Sequence, residues 1–239
     1  SLAWADSLIV GLDDRTSDAT GSIATSFGAR VEIRTFVDFA RQRNTALELV
    51  QDEWVLFVDA DEVVTPELAA EVRAVTGDPD RIEAGYWIPR RNIIFGRWIR
   101  YAGWSPDYQL RLLYKTRARY REDRIVHELV ELHGSAGYLE NPFIHYNYTT
   151  FLEFLDRQRR YASLEASNRY QRGQRARPHN FLLQPWREFW RRYVLLEGYK
   201  EGFLGLLLSV TLAYYELKTY IELRSMQTKH LSGHNQRRE

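Results

Sequence analysis

The feature that most constrains this chain is an apolar run that ends in acidic residues, at positions 54–62 (WVLFVDADE). A run of about five β-branched and aromatic residues is typical of a strand that is buried on both faces. Ligands of open α/β sheets bind beyond the carboxyl ends of such strands. The sequence therefore predicts that Asp59, Asp61 and Glu62 stand where a ligand binds.

Two interpretations of the acidic pair are open at this point. Asp59 and Asp61 are two residues apart at a strand exit, so both carboxylates can turn toward one divalent ion, and carboxylate oxygens suit Mg²⁺ or Mn²⁺. Alternatively, the acidic residues form a polar loop that leads into a helix, with Thr65 as its cap and Pro66 at its first position.

The segments around this run alternate between strand and helix patterns. Elements of such lengths, in this order, predict an α/β fold with a mainly parallel sheet and helices on both faces. Strands are predicted at 7–12, 30–33 and 54–58, and helices at 19–27, 39–50 and 66–75.

The character of the chain changes after residue 84. Residues 85–89 and 108–114 resemble strands with one polar face. The pattern is helical beyond residue 151, with 11 Lys and Arg against 6 Asp and Glu in residues 151–202. We therefore predict a first domain over 1–150 and a basic, aromatic helical region over 151–239.

Composition excludes several classes of protein. With 239 residues, 44% of them hydrophobic, the chain can bury a substantial core. A formal net charge of +1 argues against a nucleic-acid partner. The absence of cysteine removes disulfide and zinc–thiolate frameworks and fits a reducing compartment.

Several ordered motifs together resemble the inverting glycosyltransferases of family 2, and within them the lipopolysaccharide-core type. The resemblance extends over about residues 1–225 and is carried by LIVGLDDRTSDAT, FARQRNTALELVQDEWVLFVDADE, PRRNIIFGRWIRYAGWSPDYQLRLLYK, IVHELVE and NPFIHYNY. It implies a GT-A-like three-layer sandwich with a mainly parallel mixed sheet, followed by a C-terminal helical appendage. It also implies that the first strand and helix of the family precede Ser1.

The resemblance assigns nucleotide-sugar contacts to residues near the strand ends. Asp13 matches the position that contacts the base of the nucleotide, and Asp14 lies beside it. Arg41 and Asn44 match residues that face the nucleotide, although Arg41 on a helix is alternatively a solvated charge. Asp59 is expected to lie at the donor as well.

The metal site that the resemblance implies consists of Asp59, Asp61 and His145. The two aspartates match the DXD motif of the family, in which Mn²⁺ or Mg²⁺ bridges the diphosphate, and Asp61 is the expected direct ligand. His145 matches a C-terminal histidine ligand, and its imidazole favours Mn²⁺. Alternatively, His145 is a packed, hydrogen-bonded histidine. A divalent cation neutralises charge on the leaving diphosphate.

An inverting transfer is a single displacement, so the acceptor hydroxyl needs a general base. We expect Glu128, in the segment IVHE, to be this base, although the order His-Glu departs from the Glu-Asp motif of GT-A enzymes. Asp107 is the competing candidate, and the acidic pair at 122–123 is a third. Each of these acids could instead be a surface group or the partner of an arginine.

Aromatic residues mark two further regions. Trp98, Tyr101 and Trp104 lie in a glycine-containing loop and could form a sugar platform, or alternatively belong to a core.

Residues 203–215 (FLGLLLSVTLAYY) are apolar but too short to cross a bilayer, which takes about twenty residues. Aromatic and basic residues alternate over 186–193, which favours a peripheral contact with anionic lipid. The alternative is a helical hairpin that packs on protein.

The resulting hypothesis is a metal-dependent enzyme of the cytoplasm, at the inner face of the cell membrane. It would move a hexose from a nucleoside diphosphate sugar to a saccharide or lipid-linked acceptor, with inversion, in cell-envelope glycan synthesis. A nucleotidyltransferase and a non-catalytic membrane or assembly scaffold are the alternatives. The acidic segment LDDRTSDAT argues against the former, because such enzymes need a Gly-rich basic loop after their first strand.

Overall fold

A computed structural model describes residues 1–121 and 130–235, with side chains described to residue 228. The chain divides into two compact units. The first contains residues 1–90 and 107–145, and the second contains residues 91–106 and the chain from 146 onward.

The helices and strands that the sequence predicted lie close to their predicted positions, and the structure adds several short strands. The strands are β1 Ile9–Asp13, β2 Arg30–Arg34, β3 Trp54–Leu56, β4 Glu62–Val64, β5 Gly85–Ile94, β6 Arg97–Trp98, β7 Tyr108–Tyr114, β8 Ala118–Tyr120, β9 Val130–Leu132, β10 Ala136–Tyr138 and β11 Phe143–Tyr148. The α-helices are α1 Thr20–Ser26, α2 Phe39–Leu49, α3 Pro66–Gly77, α4 Phe151–Gln171, α5 Asn180–Trp190 and α6 Phe203–Asn235. A π-helical turn at Arg191–Leu195 and 3₁₀ turns at Lys115–Arg117 and Gly198–Glu201 complete the described elements.

The largest sheet has the strand order β3-β7-β5-β11-β4, with β10 and β6 also paired to β5. Strands β1 and β2 form a separate parallel pair, and β8 and β9 an antiparallel one. The α/β GT-A-like class with a mixed sheet and a C-terminal helical region is confirmed. Parallel pairing is less extensive than strand–helix alternation predicted, because β5 and β7 are joined without a crossover helix and pair antiparallel.

Strand β3 is covered on both faces, as its apolar sequence predicted. Trp54 and Leu56 pack on a core that includes Val64, Leu68, Ile88 and Phe143. Val55 and Phe57 belong to a second core with Leu47 of α2 and Leu113 of β7. Successive side chains of a strand point to opposite faces, so one short segment contributes to two cores.

The start of α3 confirms the predicted helix signal. The hydroxyl of Thr65 accepts a hydrogen bond from the backbone N–H of Leu68, and Pro66 is the first helical residue. The acidic segment therefore does lead toward a helix, with the short strand β4 between them. This local role is compatible with ligand binding by the acids themselves.

The second unit has its own apolar core. Ile94 and Ile99 are buried there with Phe154 of α4 and Leu208 of α6. The buried carboxylate of Glu201 accepts hydrogen bonds from two backbone N–H groups of the 97–101 segment. These contacts explain why residues 91–106 group with the C-terminal helices. The functional boundary predicted between residues 150 and 151 stays a prediction.

Helix α6 packs against α4 and α5. It begins close to the 3₁₀ turn at Gly198–Glu201, where a Cβ on Gly205 would overlap the carbonyl oxygen of Gly198. Of the helices in the described part of the chain, none has both the length and the apolar character that crossing a bilayer requires.

Candidate active site

The candidate site is built where the chain leaves β3, and its first group is Asp59. Arg43 of α2 donates from Nη2 to Asp59 Oδ1 over 3.1 Å. Arg111 of β7 donates to both oxygens of the same carboxylate. Both arginine side chains are about nine-tenths buried. Two buried guanidinium groups therefore hold the Asp59 carboxylate in place.

A second set of ion pairs begins at Glu62, whose side chain is 0% exposed, and extends through Arg90 to Asp107. Its Oε2 accepts from the backbone N–H of Asp59 over 2.9 Å, and its Oε1 lies 3.3 Å from Arg90 Nη1. Arg90 also reaches Asp107 Oδ2, at 2.9 Å from Nε and 2.8 Å from Nη2. Gln109 donates to the other oxygen of Asp107 over 2.9 Å. Asp107, one of the predicted bases, is thus bound on both carboxylate oxygens.

Asp61 and His145 meet beside these groups. Asp61 Oδ2 lies 3.5 Å from His145 Nε2. His145 on β11 is opposite Glu62 on β4 in the antiparallel register, which fixes its position. The Asp61 side chain is 38% exposed and that of His145 only 9%. The pair therefore presents an open carboxylate next to a sheltered imidazole.

This donor set fits a divalent cation held by few protein ligands. Two ligands of one ion lie about 3 Å apart, given metal–ligand distances near 2.1 Å, and the Asp61–His145 separation is close to that. No group of three or more His, Cys, Asp or Glu suited to a metal occurs among residues 1–121 and 130–228. Mg²⁺ and Mn²⁺ often keep water and substrate oxygens as their other ligands. Asp59, in contrast, is engaged by arginines.

The predicted nucleotide contacts at the end of β1 have local partners. Asp13 accepts from Nε and the backbone N–H of Arg15, both over 3.0 Å. These hydrogen bonds hold the pKa of Asp13 well below its ordinary value. Asp14 accepts from the hydroxyl of Thr35, which follows β2. Both carboxylates are therefore fixed and Asp13 is ionised at neutral pH.

The two predicted contacts on α2 differ from each other. Arg41 is exposed and lies 3.4 Å from Asp38, the residue that caps the helix. Asn44 is buried and forms two hydrogen bonds with the backbone of Tyr120, one donated over 2.9 Å and one accepted over 2.8 Å. Asn44 thus fastens the end of β8 to α2, a role that its place in FARQRN did not reveal.

Other candidates lie elsewhere or outside the described residues. Glu128 and the acidic pair at 122–123 fall in the part of the chain that the structure does not describe. Trp98 of the second unit lies between two guanidinium groups, with Arg91 at 4.3 Å and Arg100 at 4.1 Å from its ring centroid. Trp104 packs on the core of the second unit, as the alternative for this loop predicted.

Sequence reasoning did not assign site roles to Arg43, Arg90 or Gln109. One signal was available for Arg111, because a charged residue inside the apolar run YQLRLLY is rarely buried without a partner. The partner itself was not visible, since Asp59 lies 52 positions earlier in the chain.

Comparison with known proteins adds independent findings. The sequence model of "Glycosyl transferase family 2" matches residues 4–139. The chain is 25% identical over 222 residues to the lipopolysaccharide core biosynthesis glycosyltransferase LpsC of Rhizobium meliloti, covering 88% of this chain and 80% of that protein. It is 22% identical over 232 residues to the uncharacterized glycosyltransferase RT0209 of Rickettsia typhi, covering 92% and 79%. A TPR repeat-containing protein of Synechococcus elongatus is 32% identical over 127 residues, 29% of its length.

Proposed function

Because the chain belongs to glycosyl transferase family 2, we propose that this glycosyltransferase moves a hexose from a nucleoside diphosphate sugar to a saccharide or lipid-linked acceptor, with inversion at the anomeric carbon. The observation that carries the proposal is the meeting of Asp61 and His145 beside the arginine-bound Asp59. Family membership favours this over the nucleotidyltransferase and scaffold alternatives.

The proposed donor site uses groups of the first unit. Asp61 and His145 would hold Mn²⁺ or Mg²⁺, which when bound offsets the negative charge that develops on the leaving diphosphate. Asp13 would accept a hydrogen bond from the base of the nucleotide. Asp59 would face the donor, and its arginine partners hold its carboxylate in one orientation.

The proposed acceptor chemistry needs one free carboxylate. Glu128 would take the proton from the acceptor hydroxyl as its oxygen attacks the anomeric carbon from the face opposite the diphosphate. Arg90 and Gln109 bind the two carboxylate oxygens of Asp107. Asp107 is therefore better placed to hold Arg90 in position than to accept a proton from the acceptor hydroxyl. Glu128→Gln should therefore lower kcat more than Asp107→Asn does.

We place the reaction in cell-envelope glycan synthesis, on the cytoplasmic side of the membrane. The printed name of the Rhizobium relative, a lipopolysaccharide core biosynthesis glycosyltransferase, supports this placement. Nucleoside diphosphate sugars are charged and do not cross a membrane without a carrier, which favours an enzyme on the side of the membrane where they are made.

Isothermal titration of the protein with a panel of nucleoside diphosphate sugars tests the donor side. One donor should bind, and a chelator of divalent cations should weaken its binding about tenfold or more, equivalent to about 1.4 kcal/mol. Free nucleosides serve as the control, because they lack the diphosphate. If the folded protein bound none of the panel with Mn²⁺ present, the proposal would be wrong.

We further propose that α5 makes the peripheral membrane contact. One face of this helix is exposed and combines large apolar side chains with arginines, as amphipathic helices at lipid interfaces do. We define this membrane stripe as Leu182, Leu183, Trp186, Arg187, Trp190 and Arg191, all of them exposed.

The charge of the stripe suits anionic lipid. Arg187 has no ion-pair partner in the part of the chain that the structure describes, and Arg191 shares Glu188 with Arg192. A pocket of about 330 Å³ opens among Trp186, Trp190 and two arginines, and two glutamates, Glu188 and Glu216, line it as well. Indole rings lie at the headgroup level of bilayers, where arginines can pair with lipid phosphates.

Replacing Trp186 and Trp190 together by serine should lower the fraction of protein that floats with phosphatidylglycerol vesicles about tenfold or more, since each buried large side chain contributes about 1.5–3 kcal/mol. The matched control replaces Tyr161 and Leu164, which are as exposed on α4. The proposed membrane contact would be wrong if the wild-type protein did not float with the vesicles at low salt. It would also be wrong if both double variants lost the same fraction of floating protein.

A further inference from the structure

A hairpin of the second unit carries two arginines and a tryptophan on one face. Strands β5 and β6 pair antiparallel with Ile93 opposite Trp98, and a further backbone hydrogen bond continues the ladder by one residue. The same register, carried one residue further, brings Arg91 opposite Arg100. Because side chains alternate along a strand, Arg91, Trp98 and Arg100 lie on the same face of the hairpin. We name these three residues the cationic face.

The opposite face of the hairpin holds its backbone in place. Asn92, Ile94 and Ile99 have at most 1% of their surface exposed. The amide nitrogen of Asn92 donates to the carbonyl of Trp104 over 2.9 Å. The cationic face is therefore carried by a backbone that is fixed without a ligand.

The two guanidinium groups of the cationic face lie close together. The guanidinium carbon is 4.3 Å from the centroid of the Trp98 ring in Arg91 and 4.1 Å in Arg100. The two carbons are thus at most 8.4 Å apart, the sum of these distances. Contact with the indole stabilises each cation, but like charges opposite each other on paired strands are destabilising. A negative charge at this face would offset the repulsion.

Arg91 differs from the other sheltered arginines of the chain. Every other buried or half-buried arginine among residues 1–121 and 130–228 lies within 4.0 Å of a carboxylate. Arg91 is half-buried and has no ion-pair partner in the described part of the chain, and neither has the exposed Arg100. The charges of the cationic face are therefore not balanced by these parts of the protein.

The acid beside the hairpin is engaged by other donors. Glu201 is 6% exposed, and its Oε1 accepts from the backbone N–H of Arg100 over 2.7 Å and from that of Tyr101 over 3.2 Å. Its Oε2 lies 3.6 Å from Nη2 of Arg97, which is not on the cationic face. Both oxygens of Glu201 thus have partners, and neither forms an ion pair with the side chain of Arg100.

Two buried N–H groups of the cationic face have no acceptor among the described residues. They are Nε of Arg91 and Nε1 of Trp98. Buried donors are nearly always paired in native proteins, because an unpaired one has lost its hydrogen bonds to water. Arginine and tryptophan side chains donate hydrogen bonds and accept none. A ligand that suits this face must therefore supply both acceptors and negative charge.

We propose that the cationic face, which is formed by the second unit alone, binds a phosphate group. The oxygens of a phosphate point in several directions, so one phosphate can accept from two guanidinium groups, whereas one arginine often occupies both oxygens of a carboxylate. With N···O distances of about 2.8 Å, the phosphorus lies about 4 Å from each guanidinium carbon. This matches two carbons that are at most 8.4 Å apart. The phosphate belongs either to a soluble ester or to a lipid headgroup, and the site goes beyond the proposed sugar transfer.

The indole N–H of Trp98 reports on this site directly. In ¹H–¹⁵N spectra of the full chain, its resonance is the indole signal that Trp98→Phe removes. Inorganic phosphate, exchanged for chloride at constant ionic strength, should shift this resonance until it saturates. Arg100→Gln should weaken the binding about tenfold or more, because it removes a charged donor. Arg160→Gln, which removes an exposed arginine from α4, is the matched control and should bind as the wild type does.

Two further probes distinguish the sources of the phosphate. Tighter binding of glucose 6-phosphate than of inorganic phosphate would identify a soluble ester. Flotation with phosphatidic acid vesicles that Arg100→Gln lowers and Arg160→Gln does not would identify a lipid headgroup.

The proposal would be overturned if inorganic phosphate left the Trp98 resonance of the wild type unchanged, or if the two glutamine variants bound phosphate equally. Loss of sugar-nucleotide binding in Arg100→Gln alone would also overturn it, because the face would then serve the donor. Absence of sugar-nucleotide binding in the wild type would instead contradict the proposed function and not the phosphate site.

Discussion

Asp61→Asn should lower kcat/KM for sugar transfer by about 10²–10³-fold without changing the fold. The substitution keeps the size of the side chain and removes its negative charge, so the cation that offsets charge on the leaving diphosphate would lose its anionic protein ligand. His145 alone, a neutral ligand, would not replace it. The Asp61 side chain is 38% exposed, so we expect the asparagine to be accommodated at this position without a change of fold.

The measurement is steady-state transfer with the donor found by titration, at several concentrations of Mn²⁺. Asp80→Asn is the matched control, because Asp80 is exposed on a turn far along the chain from the acidic segment. Thermal melting should show equal stability of both variants. If Asp61→Asn were as active as Asp80→Asn, the metal role of Asp61 would be wrong. Arg43 and Arg111 would then remain as the groups that could offset charge on the diphosphate.

Arg111→Met should destabilise the protein by about 3–5 kcal/mol. Arg111 is buried on β7, where it binds Asp59 and lies 3.9 Å from Glu62, whose side chain has no exposure to water. Removal of the guanidinium leaves two carboxylates close together with less positive charge between them. Methionine fills a similar volume, so the loss would come from charge and not from a cavity.

Urea unfolding followed by circular dichroism measures this effect. Arg119→Met on β8 is the matched control, since Arg119 is exposed, and its change should stay within about 0.5 kcal/mol. If Arg111→Met does not fold, Arg111→Lys keeps one positive charge without the two-pronged contact, and it should fold with intermediate stability. If Arg111→Met and Arg119→Met were equally stable, the contacts of Arg111 with Asp59 and Glu62 would contribute nothing to the free energy of folding.

Much of the fold followed from patterns within single segments. The apolar run before Asp59 predicted a strand covered on both faces, and β3 does contribute to two cores. Thr65 and Pro66 predicted the start of α3. The extent of parallel pairing was harder to predict, because the partner of a strand is set by packing and by the length of its connections.

The candidate site followed from the sequence only in part. The position of Asp61 beyond a buried strand was predictable, and the family resemblance pointed to His145, which the structure places 3.5 Å away. The resemblance also placed Asn44 at the nucleotide, where the structure shows both ends of its amide bound to the backbone of Tyr120. The role of Glu128 stays a prediction.

The sequence by itself determined which segments become helices and strands, since periodicity, caps and breakers act over a few neighbouring residues. It also placed the carboxylates at a strand end. Only the tertiary structure decided what those carboxylates contact. Arg43 and Arg111 reach Asp59 across 16 and 52 positions of chain, and Tyr138 meets Trp87 because β10 pairs with β5. Such contacts depend on the packing of whole elements, which no local pattern encodes.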